Sequence, residues 1–85
     1  MYYVYVIVNR EGKIYIGQTK DITKRLNDHN KGWSKYTRGK GEWQILFVER
    51  YNTRREAIRR ERYLKSGRGR EYIKEIKSRG VAQPG

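Results

Sequence analysis

The chain predicts an α+β sandwich whose elements run strand, strand, helix, strand, helix, helix. Three observations carry that expectation. Residues 2–8 are aromatic or β-branched throughout, and residues 43–51, Trp-Gln-Ile-Leu-Phe-Val-Glu-Arg-Tyr, read as a further strand. Two helix starts announce themselves, Asp21 as an N-cap and Thr53-Arg-Arg-Glu56 as a capping box.

Each element has its own reason. Tyr2-Tyr-Val-Tyr-Val-Ile-Val8 has no polar alternation, so it reads as a strand buried on both faces. Asn9-Arg-Glu-Gly12 is a turn, and residues 13–17, Lys-Ile-Tyr-Ile-Gly, read as the returning strand. A three-residue loop over 10–12 with Gly12 left-handed pairs Asn9 with Lys13, Ile7 with Tyr15 and Tyr5 with Gly17. Tyr5 and Tyr15 are then diagonal neighbours on one face, whereas a four-residue loop puts them on opposite faces. Asp21 opens a helix over 22–31, stopped by Gly32. Its apolar stripe is short, Ile22 and Leu26, with Arg25 and His29 four residues apart along its edge. Residues 33–42 read as a basic loop carrying Trp33 and Tyr36, and 43–51 as the third strand. The capping box opens a helix over 54–65, with Gly67 as its C-cap, and a last helix covers 70–78. One domain over 1–80 with a disordered tail at 81–85 is the expected organisation.

The composition narrows the function. The chain has 85 residues, 21 Lys plus Arg against 9 Asp plus Glu, and a formal net charge of +12. Its hydrophobic fraction, 35%, is low for a globular domain, and eight tyrosines supply much of the apolar surface. It has no cysteine and a single histidine. That excludes disulfides, a thiol nucleophile and any metal site needing cysteine or two histidines. No run of about 18 apolar residues offers a membrane span, and the first residues have no basic region of a secretory signal; the cytoplasm is the expected compartment. The positive charge is spread over both halves of the chain. A folded basic surface of this kind points to a polyanion, with a simple solubility surface as the bland alternative.

Several residues bear chemistry, each with a plainer reading beside it. Glu61 falls in the apolar stripe of its helix between Ala57 and Leu64. A buried carboxylate there needs a metal, a proton or a partner, or else it simply pairs with Lys65 four residues on. Arg25 and His29 could clamp a phosphate and carry a proton, or be solvated surface residues. Tyr5 and Tyr15 could place hydroxyls in a cleft, or pack as a cross-strand pair. Arginines 54, 55, 59, 60 and 62 outnumber the two glutamates of their helix, which favours phosphate contact over an ion-pair lattice. Trp33 and Tyr36 could stack on a base or anchor their loop.

Their order along the chain resembles the GIY-YIG nuclease superfamily, in particular small single-domain bacterial members similar to the N-terminal nuclease domain of the DNA-repair excinuclease. Tyr3-Val4-Tyr5 stands where the family has Gly-Ile-Tyr, and Tyr15-Ile16-Gly17 matches its second motif. Residues 18–29 look like the segment carrying the family's Arg and His, here Arg25 and His29. Arg60-Glu61 matches the metal-binding Glu. The tripeptides are weak signals alone; the ordered set, spanning about residues 2–78, is specific. Two departures are the Tyr3 in place of the first Gly and the lack of a late Asn, the last being Asn52.

The resemblance implies a three-stranded antiparallel sheet flanked by helices, in agreement with the element order above. It implies a metal-dependent endonuclease that hydrolyses phosphodiester bonds in nucleic acid, DNA being the expected one, with low sequence specificity and a link to DNA repair. Tyr5, Tyr15, Arg25, His29 and Glu61 are its catalytic residues, and Glu61 holds Mg²⁺ or Mn²⁺. Arg25 neutralises phosphate charge, while Tyr5, Tyr15 or His29 orients or deprotonates the attacking water. Lys24, Lys35, Arg38, Lys40, Arg59, Arg60 and Lys65 are the basic residues expected against the nucleic acid. A protein partner or targeting subunit is also compatible with so small a chain. The alternative is a nucleic-acid-binding module of the same fold with little or no cleavage.

Overall fold

A computed structural model describes residues 1–32, 39 and 41–79. Strands β1 (Tyr2–Asn9), β2 (Ile14–Thr19) and β3 (Trp43–Tyr51) form one antiparallel sheet in the order β2-β1-β3. Helices α1 (Ile22–Asn30), α2 (Arg54–Lys65) and α3 (Gly67–Ser78) flank it, so the chain has the predicted α+β order.

The apolar first strand lies in the middle because only there are both of its faces covered. Val4, Tyr5, Val6 and Ile7 are all essentially inaccessible. Strand alternation divides them between two cores. Val4 and Val6 join Ile16, Leu46, Ala57, Leu64 and Ile73 beneath α2 and α3. Tyr5 and Ile7 join Trp43 on the opposite face, where Tyr15, Ile22 and Leu26 pack against them. Each fully buried aliphatic side chain of this kind contributes about 1.5–3 kcal/mol, so β1 organises both layers.

The β1–β2 turn takes its three-residue form. Gly12 has φ +86°, Asn9 N–H donates to the Lys13 carbonyl at 3.0 Å, and Lys13 N–H donates to Asn9 Oδ1 at 2.8 Å. Ile7 therefore pairs with Tyr15 and Tyr5 with Gly17. On the other side of β1 the register shifts between Val6 and Ile7, so Val6 opposes Phe47 and Ile7 opposes Ile45. This bulge turns both Leu46 and Phe47 toward the α2/α3 core, where strict alternation would send one of them away.

Asp21 caps α1 as expected, accepting the Lys24 N–H at 3.0 Å, and Gly32 follows the helix at φ +80°. The far end of α1 is tied to β3 by a side chain acting as a strand. Asn30 donates to the Trp43 carbonyl at 3.1 Å and accepts the Trp43 N–H at 2.6 Å. The Thr53–Glu56 capping box forms in full.

One expectation is corrected at the next joint. Gly67 does not cap α2, and α3 begins at 67 rather than 70. Ser66 ends α2 and opens α3 at once: its N–H reaches the Tyr63 carbonyl and its hydroxyl accepts the Gly69 N–H. The two glycines suggest a loop, yet Gly69 is helical and buried because α3 presses directly on the α2 backbone there. Gly69, Ile73 and Ile76 then form the inward stripe of α3 at four- and three-residue spacing. The tail at 81–85 lies outside the described residues.

Candidate active site

The α1 face of the sheet gathers four of the five expected catalytic residues. Tyr5 and Tyr15 come from neighbouring strands, with ring centroids 6.1 Å apart. Arg25 and His29 come from one side of α1, and His29 packs on the Tyr15 ring at 4.6 Å. His29 is not at the edge of the stripe but inside it, 1% exposed. Its Nε2 lies 2.9 Å from the Tyr5 hydroxyl, and Arg25 Nε donates to that same hydroxyl at 3.3 Å. Arg25 has only donors, so the Tyr5 oxygen accepts from it while also hydrogen-bonding His29 Nε2.

Gly17 makes the arrangement fit. A Cβ at this position would sit 2.6 Å from the Tyr5 oxygen and 2.8 Å from its ring carbon Cζ. The Tyr5 ring lies across Gly17, and any side chain there would push the hydroxyl away from Arg25 and His29.

Burial perturbs two of the candidate bases in opposite directions. Burial pushes the Tyr5 phenol up to about 12, although the Arg25 hydrogen bond pulls the other way. Burial, helped by the Arg25 charge and opposed by Asp28, lowers His29 from its ordinary 6.5 to about 4. Arg25 is itself disfavoured by burial, but its hydrogen bonds to Tyr5 and Tyr15 hold its pKa above the usual value. At neutral pH the group is thus a charged guanidinium beside a neutral phenol and a neutral imidazole. Tyr15 is half-buried at the β2 edge, where residues 14–16 border a groove with Lys65 and Arg70.

A stability test follows from His29. Its folded pKa is depressed, so between pH 6.5 and 4 the unfolded chain takes up the proton first. The stabilisation present at pH 7 is therefore lost as the pH falls through that window. Urea unfolding should show the wild type losing about 2–3 kcal/mol more between pH 7 and pH 4 than His29→Gln loses. Equal losses in the two proteins would exclude the imidazole as the responsible group.

Glu61 stands on α2, on the other face of the sheet, beside the β2 edge. Gln18, next in chain to Gly17 and so turned to the opposite face, donates to Glu61 Oε1 at 3.2 Å. Lys65 Nζ lies 2.8 Å from Oε2. The Glu61 side chain is 19% exposed, and Lys65, which pairs with it, also lines the groove at the β2 edge. The i,i+4 pair expected from the sequence forms, and Gln18 adds a contact that the sequence alone did not single out. Strand alternation was its available signal: Gln18 shares a face with Val4, its β1 partner, and with the α2 core.

A single hard carboxylate already facing a cation suits Mg²⁺ or Mn²⁺ held through one carboxylate and waters. Among the described residues no group of three or more His, Cys, Asp and Glu gathers into a fuller cage. The donor set fits that hydrated mode of binding.

The expected nucleic-acid contacts divide. Lys24 is exposed, 3.5 Å from Asp28. Arg59 is exposed. Lys65 is engaged with Glu61. Arg60 is not a free cation: its Nε donates to Glu49 Oε1 at 2.8 Å and its second donor reaches Oε2 at 3.0 Å. Its guanidinium also lies over the Tyr63 and Tyr72 rings. Lys35, Arg38 and Lys40, with Trp33 and Tyr36, lie outside the described residues.

The three-stranded sheet, the paired tyrosines across Gly17, and the Arg, His and Glu around the β2 edge define a GIY-YIG catalytic domain. The chain matches that family over residues 1–76 and belongs to it. It is similar to a UPF0213 protein of Bacillus licheniformis, 40% identical over 94% of this chain and 87% of the relative. A UPF0213 protein of Clostridium perfringens is 33% identical over 98% of this chain and 90% of its own length. The solution NMR structure of a UPF0213 protein from Bacillus halodurans superposes with a TM-score of 0.56 at 32% identity, covering 99% of this chain and 89% of that one. The family is one of endonucleases. Among the described residues no helix is long and apolar enough to cross a membrane.

Proposed function

We propose that this protein is a metal-dependent endonuclease that hydrolyses phosphodiester bonds in DNA with low sequence specificity. The observation that supports it best is the convergence at the β2 edge. The Arg25–Tyr5–His29 chain lies under Tyr15 on one face, and Glu61 stands beside the same edge on the other.

Glu61 is the residue that would hold Mg²⁺ or Mn²⁺, which when bound supplies Lewis-acid stabilisation of the phosphate and of the leaving oxygen. Gln18 fixes one carboxylate oxygen and Lys65 neutralises the other. Arg25 keeps its charge in a partly buried setting, which suits it to neutralise phosphate oxygens as negative charge builds on them. Tyr5 and His29 are buried and hydrogen-bonded to each other, so both position Arg25 and Tyr15 rather than reach the attacking water. Tyr15 is left as the residue that orients the attacking water and, once its phenol has given up its own proton beside the Arg25 charge, takes the water's proton.

The test is cleavage of labelled linear and branched DNA with Mg²⁺ or Mn²⁺, and with EDTA, by the wild type and Glu61→Gln. Metal-dependent cleavage present in the first and lost in the second is expected, with DNA binding retained in both. Binding without cleavage by the wild type on every substrate would replace this reading with a non-cleaving binding module.

A further inference from the structure

The four outward arginines of α2 lie together and are not spent on the fold. Arg54, Arg55, Ile58, Arg59 and Arg62 line one shallow trough. Ile58 is its half-buried floor, with Arg54 and Arg55 one helical turn before it and Arg62 one turn after. Arg59 sits four residues from Arg55 and three from Arg62. All four arginines are exposed. Among the described residues none of them forms an ion pair or a side-chain hydrogen bond: Glu56 is taken by the Thr53 cap, Glu61 by Lys65 and Gln18, and Glu49 by Arg60.

Like charges at these spacings repel one another along the helix, so the face costs the free protein stability. An external polyanion relieves that repulsion. The trough runs beside the candidate site, because Glu61 is one helical turn from Ile58. From Arg54 to Arg62 the row runs about 12 Å along the helix. Duplex DNA presents one negative charge per about 1.7 Å of its axis, so a face of that length meets several phosphates.

We propose that the Arg54–Arg55–Arg59–Arg62 face of α2 is a docking track for the sugar–phosphate backbone of duplex DNA, which it leads past Glu61. This rests on the reading of the protein as a DNA-cleaving enzyme but concerns binding alone. The nonpolar floor at Ile58 faces the sugars, and the arginine forks face the phosphates bidentately. The track carries no base contacts, which agrees with low sequence specificity.

The experiment measures binding of a fluorescein-labelled duplex by anisotropy over a KCl series in EDTA, so that no cleavage enters. Three proteins are compared: the wild type, R54Q/R55Q/R59Q/R62Q, and a control with the same net charge, R10Q/K13Q/K74Q/R79Q. The control residues are exposed and lie around the β1–β2 turn and the later part of α3. Glutamine is a good helix former, and circular dichroism confirms that each variant folds. The track variant should bind at least tenfold more weakly at low salt. Its plot of log affinity against log salt should be shallower by about 2–4 units, at about 0.9 per lost phosphate contact. The control should change by less than about one unit. Equal changes in the two variants would show a net-charge effect and overturn the track. An unchanged track variant would also overturn it and leave an acidic protein as the occupant of the trough. Cleavage is scored separately, with metal present, so failure of the nuclease reading and failure of the track are separately visible.

Discussion

Tyr15→Phe should leave the fold and DNA binding intact and lower metal-dependent cleavage by about 10²–10⁴-fold, the usual contribution of a positioned acid–base group. The expectation rests on the difference between three groups that the sequence leaves equivalent. Tyr5 is 1% exposed with its phenol raised to about 12, so it is a poor and inaccessible base. His29 is equally buried, its Nε2 is occupied by Tyr5, and its imidazole titrates near 4. Tyr15 alone of the three lines an open groove, together with Lys65 and Arg70. Single-turnover cleavage of one labelled substrate across pH 6–9 is the measurement. The phenylalanine keeps the ring that packs on His29 at 4.6 Å, so a loss reports the hydroxyl and not the packing. Activity within a few-fold of the wild type would remove Tyr15 from the chemistry.

Gly69→Ala should destabilise the protein by about 3 kcal/mol, although the same change in an open helix stabilises. A Cβ on Gly69 would overlap the Tyr63 carbonyl oxygen and the Leu64 Cα. Both are backbone atoms of α2, so the only relief is to move α3 outward, and Ile73 leaves the core with it. In a domain this small the melting temperature should fall by roughly 10–20 °C. Gly67→Ala is the matched comparison. It lies two residues away in the same helix with nothing within 4 Å of its added methyl, and it should be neutral or slightly stabilising. Equal melting temperatures for the two variants would mean that α3 yields without penalty.

These glycines also show what a sequence can and cannot convey. Strand and helix order was legible because it is written in local signals: the apolar run of β1, the Asp21 cap and the Thr53–Glu56 box. The β1–β2 register was legible only as one of two alternatives, and the left-handed Gly12 selects between them. The start of α3 was hidden because a glycine that serves close helix contact looks like a glycine that serves a turn. The bulge at Leu46 was hidden because it satisfies the opposing face of the sheet, which no residue of β3 declares. In the site, residue types and spacing pointed to Tyr5, Tyr15, Arg25, His29 and Glu61. Burial of His29 and the Gln18 contact to Glu61 needed three dimensions, since each depends on an element distant in the chain. Arg60 passes for a surface cation until Glu49, eleven residues earlier, folds against it.

The contact between Tyr5 and Gly17 has a consequence for how relatives of this chain diverge. The two motifs of the family are usually read as separate strings, but here the last letter of each is half of one packed pair. A larger residue at 17 is tolerable only with a smaller ring, or none, at 5. Tyr3, paired with Thr19 and Arg50 across the sheet, is outside that constraint and free to depart from the family's glycine. Substitutions should therefore drift readily at the first letter, while positions 5 and 17 change together or not at all.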